Sequence, residues 1–574
     1  MGAFYLSRRS PNSESRKTAA LQTLENQGFS EIRDLSNRRF HILYCRKLNG
    51  LEDSTYVKDP ENFCLTTGTL LYRSQIGAAA AKAILEDFAG ENLVAAELFG
   101  NFAILVCIDG TVRLYTDPQG VYSIWHEQNQ HIFSTSFPVL FEQLSTLTVN
   151  AEAVYQQVFQ EATFGGDTLF TQIKRLKVGQ ALALTENCSP IPPLPTPATP
   201  SPSQDMAGHL ELTHSNLRRQ FEAIARCFGS NIDSALSGGY DSRLILALLQ
   251  EQDVTPRLHV YGTPEAADVR VAKTICEGER ITLSHEDKSA QPKISPAEFA
   301  QVVRQNFYAF QGSCADGILD NGSDLLTRQS RTLNGRLQLN GGGGEVMRNF
   351  FYLPDRDYTV RELLWSFFSR FDPATTTARF SEVRYYENFE RQVRELTGIT
   401  KPKLDRETVE YLYAGFRCTY WMGQNNAINN QFGWFLTPFV DATISTEAHA
   451  IPIEMKNHGL FQAALIRKIS PRLARYPSDY GHTFSEPPPL QRRLKNIASL
   501  IRPPILRKYL YRLHRHSREN WPYFLGEEYL REILPDGFSY MSDFFRLDQI
   551  GDAEQFKRIC SIEYLLQHTN ADPK

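Results

Sequence analysis

The chain has 574 residues, which is too long for one hydrophobic core and predicts several domains. Hydrophobic residues make up 42% and charged residues 22%, a composition that excludes a disordered or fibrous chain. Lys and Arg number 61 against 65 for Asp and Glu, so the net charge of −4 indicates no global attraction to nucleic acid or to an anionic membrane.

The sequence also lacks the marks of a secreted or membrane-spanning protein. No apolar run approaches the roughly 18 residues that a membrane span needs. The first residues, Met-Gly-Ala-Phe-Tyr-Leu, do not resemble a secretory signal. The nine cysteines are scattered without a C-x-x-C pair, which predicts reduced thiols in a cytoplasmic protein and neither a zinc site nor a disulfide framework.

Short β-like runs dominate the first part of the chain. Residues 102–108, 111–115 and 131–135 have the composition of strands, and Asp109-Gly110 between the first two is a strong hairpin signal. Residues 78–88 have the pattern of a helix. We therefore expect an antiparallel, layered N-terminal domain.

A proline-rich stretch divides the chain. Seven of the thirteen residues from 190 to 202 are proline, which excludes a helix or a central strand and predicts a stiff, extended linker. We place an N-terminal domain at residues 1–187, the linker at 188–207 and a second domain at 208–574.

After the linker, strands alternate with helices. Apolar residues at helical spacing over 217–228 are followed by a strand at 232–236 and a helix at 242–250. A second strand at 258–261 and a helix at 269–276 continue the pattern, which is typical of a parallel α/β sheet. Beyond about residue 360 the sequence predicts mainly helices.

The turn between the first of these strands and its helix carries the most chemistry. It reads Leu236-Ser237-Gly238-Gly239-Tyr240-Asp241-Ser242. Its glycines let the backbone approach an anion, and its amides with the following helix N-terminus suit phosphate oxygens. The Asp241 carboxylate would repel phosphate unless a cation lay between them, which favours a role as a Mg²⁺ ligand. The structural alternative is a glycine-rich turn with Asp and Ser as helix caps, but the full run favours nucleotide binding.

At this turn the chain resembles the asparagine synthetase family. S-G-G-x-D-S is the pyrophosphate loop of ATP pyrophosphatases. Further resemblances to the family follow in its order: Leu98–Ala103 (L-x-G-x-F-A), Asp117–Gly120 (D-P-x-G), Phe133–Ser136 (F-[AS]-S), Asn340–Glu345 (S-G-x-G-a-D) and Pro438–Asp441 (P-F-L-D). The resemblance implies an α/β protein with two domains. The N-terminal domain would be an Ntn-hydrolase-like α+β sandwich of the class II amidotransferase type. The second would be an α/β ATP-pyrophosphatase domain of the adenine nucleotide α-hydrolase type, with a helical C-terminal part.

The resemblance also implies an activity and a site. Members adenylate a carboxylate with Mg-ATP, release pyrophosphate and let ammonia or an amine attack. Asp241 and Glu345 would be the catalytic residues and Mg²⁺ ligands. The implied ATP contacts are Leu236, Ser237, Gly238, Gly239, Asp241, Ser242, Val260, Tyr261, Asn340 and Gly341. The substrates would be a small-molecule or peptide carboxylate and an amine or ammonia.

Three positions depart from the family pattern. Gly2 stands where members carry the glutaminase cysteine, so glutamine hydrolysis is not expected. Gly342 stands where members carry a Glu or Tyr with a role in base chemistry. The family's late lysine is missing from residues 477–481, and Lys468 or Arg348 are the candidates to replace it.

These departures leave alternatives open. The chain could be a nucleotide-binding pseudoenzyme or assembly factor, or, as the least favoured option, an enzyme that modifies nucleic acid after adenylation. Residues 491–518 contain nine Lys or Arg and no acidic residue, with Pro503-Pro504 between two helical pieces. This segment predicts either a surface for an acidic carrier protein, nucleic acid or membrane headgroups, or a solvated pair of helices packed through Leu, Ile and Tyr.

Overall fold

The computed structural model describes residues 2–11, 13–50, 52–196, 205–314, 317–367, 371–507 and 521–572. Within these residues the chain is a mixed α/β protein with two antiparallel sheets and one parallel sheet. No helix in the described ranges is both long enough and apolar enough to cross a membrane.

The N-terminal part contains two antiparallel sheets, each with six strands among the described residues. In spatial order the first sheet consists of Ile173–Arg175, Trp125–Glu127, Ile132–Ser134, Ala3–Arg8, Phe40–Cys45 and Ile32–Asp34. The second consists of Cys188–Ile191, Ala181–Leu184, Thr111–Thr116, Leu98–Ile108, Asn62–Tyr72 and Thr55–Asp59. Apolar side chains from both sheets, such as Phe4, Ile42, Leu65 and Leu105, form one core. The predicted layered, antiparallel arrangement is confirmed.

The predicted hairpin is also confirmed. Strands Leu98–Ile108 and Thr111–Thr116 pair with Ile108 opposite Thr111, which leaves Asp109 and Gly110 as the two turn residues. Both have positive φ, 48° and 74°, as a type I′ turn requires.

Helices flank these sheets. They span Ser13–Asn26, Gly77–Ala89, Phe137–Phe141 and Ala151–Gln160. The second of them matches the helix predicted at 78–88. Strand Cys188–Ile191 adds an edge strand to the second sheet, where Pro190 lies opposite Leu182. The next helix begins at Met206, and residues 197–204 of the predicted linker lie outside the described residues.

A five-stranded parallel sheet forms the framework of the second part, counted over the described residues. Its spatial order is Leu283–Glu286, Arg257–Tyr261, Ile232–Ala235, Leu337–Leu339 and Trp434–Leu436. The strands predicted at 232–236 and 258–261 are neighbours in it, and all its pairs are parallel. The helix Met206–Phe228 buries Leu217, Phe221 and Ile224 as its spacing predicts. Strand and helix alternation therefore predicted this sheet correctly.

Helices cover the sheet and make up most of the remaining chain, as expected beyond residue 360. Besides Met206–Phe228 they are Tyr240–Glu251, Ala267–Glu279, Pro296–Ala309, Ser323–Arg331, Val360–Phe367, Glu382–Thr397, Arg406–Leu412, the π-helix Tyr413–Met422, Gly423–Phe432, Ala442–Ala450, Ile453–Lys456, Leu460–Ile469, Pro471–Ala474, Leu490–Leu500, Glu527–Ile533 and Ala553–Thr569. Short 3₁₀ turns lie at Ala95–Glu97, Lys288–Ala290, Leu333–Gly335, Gly344–Met347, Pro373–Thr375, Pro438–Val440, Asn457–Gly459, Tyr523–Leu525, Met541–Asp543 and Leu547–Gln549.

A buried polar network joins the N-terminal part to the parallel sheet. Lys47 Nζ donates to the backbone oxygens of Asn430 (2.7 Å) and Gly433 (3.0 Å). The Asn430 side chain accepts from Thr69 Oγ1 at 2.7 Å, and Asn426 Nδ2 donates to Asn101 at 3.1 Å. These buried donors and acceptors satisfy one another, so they fix how the helix Gly423–Phe432 sits on the N-terminal sheet.

Candidate nucleotide-binding site

Two glycine-rich loops meet at one edge of the parallel sheet. The first, 236–242, follows strand Ile232–Ala235, and the second, 340–345, follows strand Leu337–Leu339. The two strands are parallel neighbours, with Ser234 opposite Leu339, so both loops lie at the carboxyl ends of the strands. This edge is where open α/β sheets bind ligands. A β carbon at Gly341 would lie 3.0 Å from Asp241 Cβ and 3.1 Å from Ser242 N, so any side chain there would crowd the first loop.

An ion-pair cluster lies where the loops meet. Arg348 Nη2 is 2.8 Å from Asp241 Oδ2 and 3.6 Å from Glu345 Oε1. Gln462 Nε2 donates to the other Asp241 oxygen at 2.7 Å, and Tyr413 donates its hydroxyl to Glu345 Oε2 at 2.9 Å. The structure therefore brings the two predicted carboxylates together around one guanidinium cation.

The electrostatics of the cluster follow from its burial. Burial raises the pKa of Asp241 above its ordinary value and the nearby Glu345 adds to the rise, whereas the Arg348 guanidinium opposes it. Burial alone would lower the pKa of Arg348, but the two carboxylates hold it above its ordinary value. Arg348 thus stays charged and compensates the negative charge that the loops concentrate here.

The carboxylate oxygens at this point suit a magnesium ion chemically. Hard oxygen ligands are those that Mg²⁺ prefers, and the ion usually takes one or two carboxylates together with phosphate oxygens. Asp241 and Glu345 already converge on one cation, Arg348, so the donor set fits the ion once Arg348 moves aside. Among the described residues no group of three or more His, Cys, Asp and Glu side chains is placed to hold a metal. A bound ion would therefore depend on these two carboxylates and on ligands from the nucleotide.

The amides of the first loop, which the sequence assigns to phosphate, donate to oxygens of the protein. Gly238 N donates to Asp268 Oδ1 at 2.8 Å, and Ser237 N donates to Ser242 Oγ at 2.9 Å. Gly239 N donates to Ser237 Oγ at 3.3 Å. The loop has the amide arrangement of an anion site, but the Asp268 carboxylate already accepts the hydrogen bond of the Gly238 amide. Sequence reasoning missed Asp268, because nothing in a lone acid at a helix start shows that it reaches back 30 residues to this loop.

The segment 477–481 packs against the same loop. Asp479 N donates to the Gly238 carbonyl oxygen at 3.3 Å, and burial together with the Asp268 carboxylate raises the pKa of Asp479. Arg348 Nη1 donates to the Tyr480 hydroxyl at 3.1 Å. The region in which the family carries its lysine therefore borders the cluster but presents an acid and a phenol.

Of the two cations considered as substitutes for that lysine, only one is at the site. Arg348 contacts both carboxylates, as described above. Lys468 instead pairs with Glu211, with its Nζ 2.8 Å from Glu211 Oε2, in an exposed salt bridge. Arg348 lies seven residues after Gly341, in the turn that follows the second loop.

Aromatic rings close one side of the cluster. Tyr240 stacks on Phe484 with centroids 4.0 Å apart and lies 5.0 Å from Tyr480. The buried Arg243 lies 4.5 Å from the Phe484 centroid and donates to the carbonyl oxygens of Tyr476 and Pro477. Burial accounts for the lowered pKa of Arg243, about 10, and its carbonyl contacts fix the segment 477–481 against the first loop.

Two of the remaining predicted contacts, Val260 and Tyr261, lie on the strand next to Ile232–Ala235. Leu236 N donates to the His259 oxygen at 2.8 Å, which ties the first loop to the strand that carries Val260 and Tyr261. Val260 is buried, while Tyr261 is partly exposed and faces Lys288 Nζ at 4.8 Å from its ring centroid. This strand lies on the far side of Ile232–Ala235 from the second loop.

In the second loop Asn340 turns inward, since its side chain accepts from Gly342 N at 2.8 Å. The Asn340 side chain thus braces its own loop. Gly341 approaches the start of the helix Tyr240–Glu251, as its close contact with Asp241 shows.

Position 2 has no room for a nucleophilic side chain. Gly2 is buried at the start of the first strand and its amide donates to the Cys45 oxygen at 2.9 Å. A β carbon there would lie 2.9 Å from Phe29 Cζ and 3.1 Å from the Arg46 carbonyl oxygen. The neighbouring core therefore fills the space that a cysteine would need.

Comparisons with known proteins give little further information. No protein-family model matches the sequence, and none of the curated proteins matches it. Among solved structures, "the allosteric regulatory enzyme of purine biosynthesis" is similar at 8% identity with a TM-score of 0.21, covering 46% of this chain and 66% of that chain. A glutamine phosphoribosylpyrophosphate amidotransferase from B. subtilis, complexed with ADP and GMP, is similar at 8% identity with a TM-score of 0.20, covering 49% of this chain and 65% of that one. The chain thus spans just under two thirds of each, and similarity this slight assigns neither family nor function.

Proposed function

We propose that the chain is an ATP-dependent, AMP-forming carbon–nitrogen ligase of the asparagine-synthetase type, without a glutaminase of its own. The observation that carries the proposal is the convergence of both glycine-rich loops on Asp241, Glu345 and Arg348 at the carboxyl edge of a parallel sheet. The sequence motifs of the two loops, which resemble that family, support the same chemistry.

The proposed reaction has two steps. A carboxylate oxygen of the substrate attacks the α-phosphorus of ATP, which forms an acyl-adenylate and releases pyrophosphate. The nitrogen of ammonia or an amine then attacks the acyl carbon, and AMP leaves with the electron pair of the broken C–O bond. Free ammonia or an amine supplies the nitrogen, because Gly2 offers no thiolate to cleave glutamine.

Each part of the site has a role in this scheme. The amides of the first loop and the hydroxyls of Ser237 and Ser242 would bind the pyrophosphate oxygens. Arg348 would stabilise the charge that develops on the leaving pyrophosphate, since a fixed cation in a site shielded from water acts strongly on developing charge. Mg²⁺, when held by Asp241 and Glu345, would supply further neutralisation of the phosphates.

A second candidate is a protein of the same fold that binds nucleotide without turning it over. Two observations favour it: Asp268 occupies the first loop amide, and Arg348 already neutralises the two carboxylates. A phosphate group would have to displace Asp268 before reaching Gly238. The two candidates share the binding site and differ in whether pyrophosphate is released.

One assay separates them. Pyrophosphate and AMP release from ATP is measured over a panel of carboxylates with ammonium or simple amines, for the wild type, Asp241→Asn and Asp536→Asn. The last variant makes the same change at an exposed aspartate and controls for net charge. Release that falls by about a hundredfold or more in Asp241→Asn alone supports the ligase. ATP binding without release across the panel supports the second candidate, and no ATP binding refutes both.

A further inference from the structure

The helix Leu490–Leu500 turns its apolar side chains away from the protein. Its inner side is polar: Asn496 is buried and its Nδ2 lies 3.1 Å from His458 Nδ1, while Arg492 lies 5.2 Å from the Tyr480 ring centroid. The small cavity beneath the helix, about 50 Å³, is lined on this side by the same two residues. The helix therefore docks through its polar face, the reverse of the arrangement in an ordinary surface helix.

The opposite face is a continuous apolar stripe. Leu490, Leu494, Ile497 and Ile501 recur at spacings of four, three and four, which places them on one side of the helix, and they are 44–70% exposed. Ile505 and Leu506, which follow in the sequence, are also exposed. Of the fourteen large apolar side chains that are exposed in the described ranges, six belong to this short segment. Of the two alternatives for this segment, the pair of helices packed through Leu and Ile is contradicted at these positions.

Positive charge borders the stripe. Residues 491–507 contain five Lys or Arg and no acidic residue. Arg493 and Lys495 are exposed. On a helix of 3.6 residues per turn they lie on opposite sides of the stripe, each about 60° or more from its centre. The two pieces of the segment are held together because Arg507 donates to the carbonyl oxygens of Ser499 (3.1 Å), Phe351 (2.6 Å) and Tyr352 (2.6 Å). The rest of the basic segment, 508–518, lies outside the described residues.

We propose that this apolar stripe, with its basic borders, docks the protein onto the surface of an anionic lipid bilayer. An amphipathic helix with Leu and Ile on one face and Lys and Arg beside it lies in the interfacial plane, with its apolar side chains among the acyl chains and its cations at the headgroups. A bilayer accepts an apolar ridge without a groove of complementary shape, and the exposed side of this helix is such a ridge. The absence of acids from residues 491–507 fits an anionic surface by charge.

The position of the helix links this surface to the candidate site. Arg492 on its inner side faces the Tyr480 ring, and the Tyr480 hydroxyl accepts a hydrogen bond from Arg348, which pairs with Asp241. A bilayer bound to the stripe would therefore be separated from the cluster by the helix, which is about 10 Å thick, and by the Arg492 and Tyr480 side chains. The docking itself does not depend on the proposed function.

Vesicle sedimentation tests the proposal. The full chain is mixed with phosphatidylcholine vesicles, with or without about 30% phosphatidylglycerol. We expect the wild type to pellet with the anionic vesicles and to be partly released by salt. The triple variant Leu494→Ser, Ile497→Ser, Ile501→Ser should bind at least about tenfold more weakly, because it removes the insertion of apolar groups. Arg493→Gln with Lys495→Gln should weaken binding to anionic vesicles and reduce its salt dependence, since the other basic residues of the segment remain.

The matched control changes exposed apolar residues elsewhere, Leu326→Ser with Val383→Ser, and should bind like the wild type. All these positions are exposed, so circular dichroism should show an unchanged fold. Three results would overturn the proposal: no binding by the wild type, equal binding by the triple variant, or a wild-type dimer in solution that the triple variant abolishes. The last would assign the stripe to self-association.

Discussion

Replacing Arg348 by alanine tests whether this side chain is the resident cation of the candidate site. The variant leaves Asp241 and Glu345 facing each other without a counterion, at a point where the Arg348 and Asp241 side chains are only 17% and 19% exposed. Removing one partner of a buried ion pair destabilises a protein strongly, because the remaining charge stays buried.

The magnitude follows from the geometry. At 2.8 Å the Coulomb attraction between Arg348 and Asp241 is about 6 kcal/mol for an effective dielectric constant of about 20. Desolvation of the guanidinium offsets part of this attraction, and Asp241 keeps its hydrogen bond from Gln462. We therefore expect a loss of about 3 kcal/mol in the free energy of unfolding, at the lower end of the range for broken buried pairs. In a domain of this size that corresponds to a fall in Tm of about 5 °C.

Magnesium should then stabilise the variant and not the wild type. The two carboxylates, left without a counterion in the variant, regain a cation, and at a Mg²⁺ concentration ten times its Kd the gain is about 1.4 kcal/mol. The assay is thermal unfolding in EDTA and in millimolar MgCl₂, with Arg348→Lys to retain the charge and Arg38→Ala as a control at an exposed arginine. A Tm loss below about 2 °C, or equal Mg²⁺ shifts in wild type and Arg348→Ala, would show that Arg348 does not hold the cation position.

Three further predictions concern single residues. Asp268→Ala frees the Gly238 amide and removes a negative charge beside the first loop. Calorimetry should therefore show that the variant binds ATP about tenfold more tightly than the wild type. Unchanged or weaker binding would contradict the proposed loop function. Glu447 is 3% exposed, neither oxygen has a hydrogen-bond partner among the described residues, and burial raises its pKa from 4.5 to about 8. Between these two pKa values the native state keeps a proton that the unfolded state has lost, so the stability of the wild type falls as pH rises. Glu447→Gln removes this titration and should therefore raise Tm more at pH 8 than at pH 4.5. Equal shifts in Tm at the two pH values would refute the argument. Burial lowers the pKa of Lys47 well below 10.5, so the unfolded state binds the extra proton and this residue makes stability rise with pH. Lys47→Met leaves the Asn430 and Gly433 oxygens unpaired at a cost of about 1–3 kcal/mol, and its loss of Tm should be larger at pH 9.5 than at pH 7.

Local signals in the sequence predicted much of the fold. The Asp109-Gly110 turn, the helix at 78–88 and the two strands at 232–236 and 258–261 depend on residues close in the chain, and the structure confirms each of them. The convergence of the two glycine loops does not follow from local signals and is implied only by the family resemblance; the loops meet because their strands are parallel neighbours that end at the same sheet edge.

The contacts that complete the candidate site could not be predicted this way. Arg348 reaches Asp241 across 107 residues and Gln462 reaches it across 221, and both come from turns and helices with no distinctive pattern. Asp268 reads as a helix-start acid until the fold places it against Gly238. Whether a phosphate loop is open or capped is decided by such tertiary contacts, so a loop motif alone predicts where a nucleotide would bind and not whether the site is free to receive it.

The helix Leu490–Leu500 shows the same distinction for a surface. Its sequence contains a stripe of Leu and Ile at helical spacing, and such a stripe is equally compatible with a core and with an interface. What decides between them is the opposite side: Asn496 hydrogen-bonds His458 and the Arg492 guanidinium lies near the Tyr480 ring, so the helix is already fixed with its apolar side outward. Rotating it by half a turn would bury the stripe, but it would also leave these polar contacts unmade and bring basic side chains into the protein. The orientation is therefore determined by the polar residues, and the exposed stripe is its consequence.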